Sequence, residues 1–340
     1  MQQLTFIEPG RFEWHDVPAP TLRADTDAIV RPLAVARCDL DLYIATGFAP
    51  YPGPFAFGHE SVGEVVDAGP AAGVWPGQRV VVPFQLSCGR CGACQRGWTN
   101  SCEAFPFGAA YGLKLSSKTE FGGALSDLMH VPFADHMLVP LPDGIDPIAA
   151  ASVADNVVDG WRGVGPHLAE RPGATVLVVG GLAQSVGLYA AGCAVALGAG
   201  RVLYADDDPG RRARAEAMGA ESAAIATVQE QGEQFDIVVE AAGTEAGLEF
   251  AVRGTAPNGI LTGVAIHFAD TTPMPLRRAY YKGLTFCTGR VNARPAIPHV
   301  LNCMTSCHLN PRHVMHRVAH FADAPDAMTD PGPKLVFVRE

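Results

Sequence analysis

Four cysteines, Cys88, Cys91, Cys94 and Cys102, fall within one Gly-rich run, CGRCGACQRGWTNSC. The spacing C-x2-C-x2-C-x7-C lets four thiolates close on one ion, and Zn2+ takes such a set as a tetrahedron with bonds of about 2.3 Å. With sulfur at every position no place is left for water, so the expected ion is structural. An iron–sulfur cluster uses the same four ligands. The flanks lack the basic residues of a nucleic-acid zinc ribbon. The isolated Cys193, Cys287, Cys303 and Cys307 read as small buried hydrophobes.

A second set of chemically capable residues is scattered. Cys38 lies in Ala-Arg-Cys-Asp-Leu-Asp, His59 and Glu60 in Phe-Gly-His-Glu, and Asp155 in Val-Ala-Asp-Asn-Val-Val. Each alone has a plain reading: a core or surface residue, or for Asp155 the N-cap of a helix. A third signal is the run Gly180-Gly181-Leu182-Ala183-Gln184-Ser185-Val186-Gly187 after the apolar Thr175–Val179. A strict G-x-G-x-x-G is absent, because counting back from Gly187 puts Leu182 and Gln184 at its first two glycine positions. A strand before, a helix after and the acid Asp206 beyond still suit a dinucleotide. The helix N-terminus would meet the pyrophosphate and the carboxylate the ribose hydroxyls.

These groups need elements to carry them. Residues 1–150 are rich in Gly, Pro and short β-branched runs at Ala28–Pro32, Ser61–Asp67, Gln78–Pro83 and Ala134–Val139. Turns separate them at Pro52-Gly53, Pro76-Gly77 and Pro142-Asp143-Gly144. That texture predicts a small β-rich, barrel-like domain. Beyond residue 150 strands alternate with helices: strands at Ala174–Val179, Arg201–Ala205, Phe235–Val239 and Gly259–Val264, helices at Val186–Leu197 and Pro209–Met218. Such alternation predicts parallel βαβ units. From about residue 295 the pattern is short and mixed and could return to the first domain.

The scattered residues, the cysteine run and the dinucleotide pattern, in this order, resemble the zinc-dependent medium-chain dehydrogenases, the alcohol and polyol dehydrogenases, essentially end to end. The resemblance implies an α/β protein: a GroES-like β-barrel catalytic domain (1–154) with a structural zinc lobe, a Rossmann doubly wound parallel sheet (155–295), and a C-terminal return (296–340). It implies two zinc ions per chain. The catalytic one would be held by Cys38, His59 and Asp155, with Glu60 able to complete the tetrahedron when no substrate is bound, and the structural one by Cys88, Cys91, Cys94 and Cys102. Three protein ligands leave one position for a substrate oxygen, on which Zn2+ acts as a Lewis acid. Asp41 would accept the other ring N–H of His59 and fix its tautomer. Gly180, Gly181, Gln184, Ser185, Val186, Gly187 and Asp206 would bind the dinucleotide. Asp206, aided by Asp207 and Asp208, repels a 2′-phosphate, so NAD is expected over NADP, although Arg211 and Arg212 follow closely. Glu240–Gly243 and Gly263–Ala265 resemble the loops beneath the nicotinamide.

The resemblance fails at one place. The residue two after the zinc cysteine, commonly Ser or Thr, is Leu40, and the usual histidine five after it is Tyr43. The common proton relay is therefore broken, and Tyr43, Asp39 or Asp159 are candidates to replace it. Asp159, unusual at its position, could also bind a cationic or polyhydroxyl substrate. Phe84 and Phe48–Phe57 could line a pocket or pack in the core.

The chain has 340 residues, 48% hydrophobic and 18% charged, enough to build two cored domains rather than a disordered chain. A net charge of −10 argues against nucleic acid as a partner. No basic n-region precedes an apolar stretch, and the most apolar run, 174–199, is broken by Gly, Gln and Ser, so no membrane partner is expected. Nine cysteines in such a chain suit the cytoplasm. The expected activity is hydride transfer between NAD(H) and a small-molecule alcohol or carbonyl compound, with a secondary alcohol or polyol favoured. A specialised biosynthetic step with an altered relay, or a catalytically silent zinc- and nucleotide-binding homologue, are the alternatives. A homodimer or homotetramer is expected, built partly through Leu284–Val291.

Overall fold

The structure, a computed structural model, describes residues 1–116 and 120–339. The chain forms two compact units. The first comprises Met1–Asp155, Asn292–Leu301 and Met315–Glu340, of which residue 340 lies outside the described residues. The second comprises Asn156–Val291 and Asn302–Val314. The C-terminal segment expected at 296–340 is thus shared, with 302–314 packing into the second unit.

In the first unit the strands are β1 (Gln2–Glu8), β2 (Arg11–Asp16), β3 (Ala28–Ala36), β4 (Phe55–Ala56), β5 (Glu60–Ala68), β6 (Arg79–Val82), β7 (Met129–Val131) and β8 (Val139–Pro140). β2, β1 and β4 form a small antiparallel sheet. β3 alternates partly, with Arg31 outward and Val30 and Val35 fully buried, and pairs antiparallel with β5. Phe6, Phe12, Phe55 and Phe57 stack their rings at 5.0–6.0 Å in the core beneath.

One expected strand is not there. Ala134–Val139 is instead a short helix, Ala134–Met137, running into β8. Phe133 turns the chain with φ 48, and the Ala134 N–H is taken by the Thr26 carbonyl. The buried positions are then Ala134 and Met137, a spacing of one helical turn rather than the alternation of a strand.

The second unit carries β9 (Thr175–Val179), β10 (Arg201–Ala205), β11 (Glu221–Ala223), β12 (Phe235–Glu240), β13 (Thr255–Gly263) and β14 (Thr285–Cys287). All pairings are parallel and the order is β11-β10-β9-β12-β13-β14. The order reverses between β9 and β12, which is the switch point where an open α/β sheet binds dinucleotides at its strand C-termini. Val176–Val179 are fully buried, as expected of a strand covered on both faces. The helices Gln184–Ala196, Pro209–Ala217 and Glu245–Gly254 connect the strands.

Back in the first unit, β15 (Arg317–His320) pairs parallel with β16 (Leu335–Val338), and β16 pairs with β3. The larger sheet reads β15-β16-β3-β5-β6-β8, with β7 on β3. The GroES-like domain and the Rossmann sheet that the resemblance implies are both present, each in its own unit. Among the described residues no helix is long and apolar enough to cross a membrane.

Candidate functional site

Two groups of side chains could each hold a metal ion: Cys88, Cys91, Cys94 and Cys102, and Cys38, His59, Glu60 and Asp155. In each group the ligand atoms lie within 4.8 Å of one another.

The lobe is built by backbone geometry. Cys91 caps the short helix Gly92–Gln95, and backbone N–H groups point at sulfur throughout. Cys88 N donates to Cys102 Sγ at 3.3 Å, Cys91 N to Cys88 Sγ at 3.4 Å, and Glu103 N to Cys91 Sγ at 3.4 Å. Such donors favour thiolate, and those of Cys94 and Glu103 hold the Cys91 thiol down to about 6. Cys91 Sγ and Cys102 Sγ are 3.9 Å apart. Tetrahedral bonds of about 2.3 Å place sulfurs about 3.8 Å apart, so this pair already matches an edge of a zinc tetrahedron.

The second group is assembled from distant segments. Cys38 precedes the helix Asp39–Ala45, His59 and Glu60 open β5, and Asp155 ends the 3-10 turn Ala151–Ala154. Asp155 also stands directly before the helix Asn156–Arg162. Its Oδ2 lies 3.4 Å from Cys38 Sγ and 3.4 Å from His59 Nε2. Bonds of about 2.3 Å to sulfur and about 2.0–2.2 Å to nitrogen and oxygen, at tetrahedral angles, separate ligand atoms by about 3.3–3.7 Å. The three residues thus already mark edges of a zinc tetrahedron.

Charge points the same way. Cys38, Asp41, Glu60 and Asp155 are all buried. Burial and the carboxylates of Asp155 and Glu60 push the Cys38 thiol far up. Burial pushes Glu60 up to about 8 against the pull of Lys334. For His59 burial acts downward, but Asp41 and Asp155 outweigh it and the imidazole is pushed up to about 9. A buried cluster so rich in acids is relieved by a cation.

Asp41 is placed as expected. Its Oδ2 accepts the Cys38 N–H at 3.0 Å, and its Oδ1 faces His59 Nδ1 at 3.4 Å, an ion-pair distance longer than a hydrogen bond. Both atoms are buried with no hydrogen-bond partner, so small movements of the ring on metal binding can join them. Phe84 packs on His59 with ring centroids 5.5 Å apart. Tyr43 packs against the barrel core and stacks on Phe48 at 5.2 Å. Leu40 packs on the same core.

Two residues escaped the sequence reading. Lys334 is fully buried and donates to Glu60 Oε1 and Oε2 at 3.1 and 3.2 Å and to the Arg37 carbonyl at 2.9 Å. The Glu60 carboxylate that it holds also lies within 4.8 Å of the other three ligand atoms. Tyr51 is half-buried, and burial together with the charge of Cys38 and Asp41 pushes its phenol up, which puts it within the field of the cluster. The aromatic run before Gly58-His59 was the one available signal for it.

In the second unit β9 runs into the glycine turn, and Gln184, Ser185 and Val186 form the first turn of the helix Gln184–Ala196. Glycine is required at Gly181, where a β carbon would lie 2.5 Å from the Ala242 Cα. The Leu182 and Ala183 N–H groups bond the carbonyls of Ala242 and Ala241, which fixes the longer turn on the end of β12. The Ser185 hydroxyl donates to Asn156 Oδ1 at 2.9 Å and is fully buried, so it serves the packing of this helix. Asp206 stands at the end of β10, but it is bound by Arg211 through both oxygens, at 2.7 and 2.8 Å. Asp207 and Asp208 accept the N–H groups of Ile225 and Arg211. Asp159 is paired with Arg162, which also donates to the Gly289 carbonyl at 2.8 Å.

The same architecture occurs in known proteins. Residues 24–143 match the family model of the alcohol dehydrogenase GroES-like domain, and 185–306 that of zinc-binding dehydrogenases. A probable zinc-binding alcohol dehydrogenase of Mycobacterium tuberculosis is 31% identical over 297 residues, covering 84% of this chain and 73% of that protein. A medium chain reductase/dehydrogenase of an Acremonium species is 31% identical over 283 residues, covering 78% and 94%. The solved alcohol dehydrogenase TADH from Thermus sp. ATN1 superimposes with a TM-score of 0.90 at 31% identity over 100% of both chains.

Proposed function

Because the chain belongs to the zinc-dependent medium-chain dehydrogenase/reductase family, oxidoreductases that act on alcohols with zinc and a nicotinamide cofactor, we infer that it transfers hydride between NAD(H) and a secondary alcohol or polyol, or the matching ketone. The observation that carries this reading is the buried trio Cys38, His59 and Asp155, spaced as the edges of a zinc tetrahedron, with Glu60 paired to Lys334 beside it. Zinc held there supplies Lewis acidity toward a substrate oxygen, and a bound nicotinamide supplies the hydride acceptor.

The chain's own residues do the rest. Asp41 orients His59, so that Nε2 faces the ion. Lys334 keeps Glu60 from filling the position a substrate oxygen needs. An aspartate rather than a second cysteine or histidine as third ligand favours secondary alcohols and polyols. Leu40 cannot pass a proton, so the alcohol proton leaves by another group, with Tyr43, Asp39 and Asp159 the candidates. Asp206 reads the ribose hydroxyls and repels a 2′-phosphate, which makes NAD the cofactor.

We assign the first unit, residues 1–155, 292–301 and 315–340, to catalysis and the second, 156–291 and 302–314, to the dinucleotide. The cysteine lobe carries the second, structural zinc. β14 is an edge strand among the described residues, with Phe286 exposed on it, and a second copy can pair there to build a dimer or half of a tetramer. No disulfide joins the cysteines, which suits the cytoplasm.

The test is NADH formation against a panel of alcohols and polyols, with metal content measured alongside. Two zinc ions per chain and turnover of secondary alcohols are expected, with turnover lost in Asp155→Ala. Undiminished turnover in that variant would sink the assignment. Leu40 favours one second reading, a homologue that binds zinc and nucleotide without catalysis. Two bound zinc ions and tight NAD binding with no turnover of any alcohol would establish it instead.

A further inference from the structure

The Asp206 side chain is 2% exposed. An ionised carboxylate offers about four lone-pair sites, and here protein donors take them all. Oδ1 accepts the Asp208 N–H and Arg211 Nη2, each at 2.8 Å. Oδ2 accepts Arg211 Nε at 2.7 Å and the Tyr204 hydroxyl at 2.9 Å. Two donors of a ribose diol can therefore enter only where a protein donor withdraws.

The donors differ in their freedom to do so. Arg211 sits on the helix Pro209–Ala217, keeps 20% of its side chain exposed and has a long flexible stem. Tyr204 is fully buried and lies two residues before Asp206 on the same strand, where side chains share a face. Its hydroxyl occupies space that exists because residue 180 is glycine. A β carbon there would lie 2.6 Å from that hydroxyl and 2.2 Å from Asp206 Oδ2. At the other end of the turn, a β carbon on Gly187 would touch the Tyr204 ring at 3.7 Å. The first and last glycines of the turn thus both border this tyrosine. Its phenol cannot leave without opening the turn.

We propose that Tyr204 is the positioning residue of the ribose site: its hydroxyl, seated in the gap at Gly180, holds the Asp206 carboxylate in place while the two lone pairs held by Arg211 pass to the ribose 2′- and 3′-hydroxyls. This rests on the reading of Asp206 as the ribose acceptor. Arg211 is the occupant that the dinucleotide displaces, and Tyr204 is the fixed point of the exchange. Without the phenol, Oδ2 loses its inner donor and the carboxylate turns toward Arg211.

The experiment measures NAD+ and NADP+ binding to the zinc-loaded, full-length protein by calorimetry, with kcat and KM for NAD+ beside it. Tyr204→Phe is expected to raise the NAD+ Kd about tenfold, the scale of one hydrogen bond to a charged group. Its kcat at saturating NAD+ stays near wild type, and its preference for NAD+ over NADP+ narrows. In an Asp206→Asn background the same substitution changes binding little, because the two act as one unit. Gly180→Ala tests the same point from the opposite side and carries the test should Tyr204→Phe fold poorly. Its β carbon displaces the carboxylate and weakens NAD+ to a similar degree. Wild-type NAD+ affinity in Tyr204→Phe, with Asp206→Asn weakened, overturns the role of Tyr204 and leaves Asp206 as the ribose acceptor. A loss in Tyr204→Phe that persists undiminished beside Asp206→Asn also overturns it. Wild-type affinity in Asp206→Asn overturns the reading of Asp206 itself.

Discussion

The cysteine lobe and the Cys38 centre each gather four ligand atoms within reach of one ion, by opposite means. The lobe takes its ligands from one short run, and neutral backbone N–H groups of Cys88, Cys91 and Glu103 stabilise the sulfurs. Its four ligands are all thiols, three of them buried and Cys91 half-buried. The Cys38 centre draws its ligands from three distant segments, buries them all, and surrounds them with charged partners: Asp41 behind His59, and Lys334 on Glu60. Lys334 is what makes the difference chemical. We propose that the Lys334 ion pair keeps Glu60 off the ion, which leaves one coordination position for the substrate. A closed site and an open site are therefore distinguished less by the number of nearby ligands than by what else holds the fourth.

The largest effect is expected where that openness resides. Asp155→Ala should leave one zinc per chain, in the lobe, and cut kcat/KM by roughly a thousandfold or more, since Lewis-acid stabilisation amounts to several kcal/mol. Metal analysis beside turnover checks it. Loss of both zinc ions would show that the two sites are not independent. Next comes Asp41→Asn, which keeps every ligand but replaces the group that fixes His59. Support of that kind contributes about 10- to 100-fold in metal affinity or activity. Competition with a chelator should show the Cys38 centre surrendering zinc first, whereas the lobe should be unchanged.

The same contrast governs what could be read before any coordinates. The lobe was legible because its ligands are close along the chain and its geometry is local. The Cys38 centre was legible only through resemblance, because no local rule connects residue 38 with 155. Lys334 was invisible for the same reason: a lone lysine near the C-terminus has no reason to be buried until β16 brings it beneath Glu60. The Rossmann strands emerged well from their apolar runs, yet Asp206 was read as open to ribose when Tyr204 and Arg211 already occupy it. Sequence shows which residue types are present, but the satisfaction of a buried carboxylate depends on donors from the next helix. Ala134–Val139 misled because apolar content alone does not separate a strand from a single helical turn.

A smaller effect is expected when the lobe itself is broken. Cys94→Ser should lose the lobe's zinc and lower Tm by roughly 5 °C or more, since structural zinc contributes directly to folding. Turnover per catalytic zinc should persist at temperatures below the new Tm. A parallel collapse of turnover at low temperature would mean that the lobe reaches into the chemistry and that the division between closed and open sites fails.

The smallest effect sharpens what holds the lobe. On its surface the Arg96 guanidinium lies 4.6 Å from the centroid of the exposed Trp98 ring. Exposed contacts of this kind contribute about 0.5–1 kcal/mol. Arg96→Ala should therefore shift Tm by only a few degrees and leave the lobe's zinc bound through a chelator titration. If it instead releases zinc as readily as Cys94→Ser, surface packing rather than sulfur and backbone N–H geometry holds the lobe closed. The lobe would then depend on neighbouring side chains much as the Cys38 centre depends on Asp41 and Lys334.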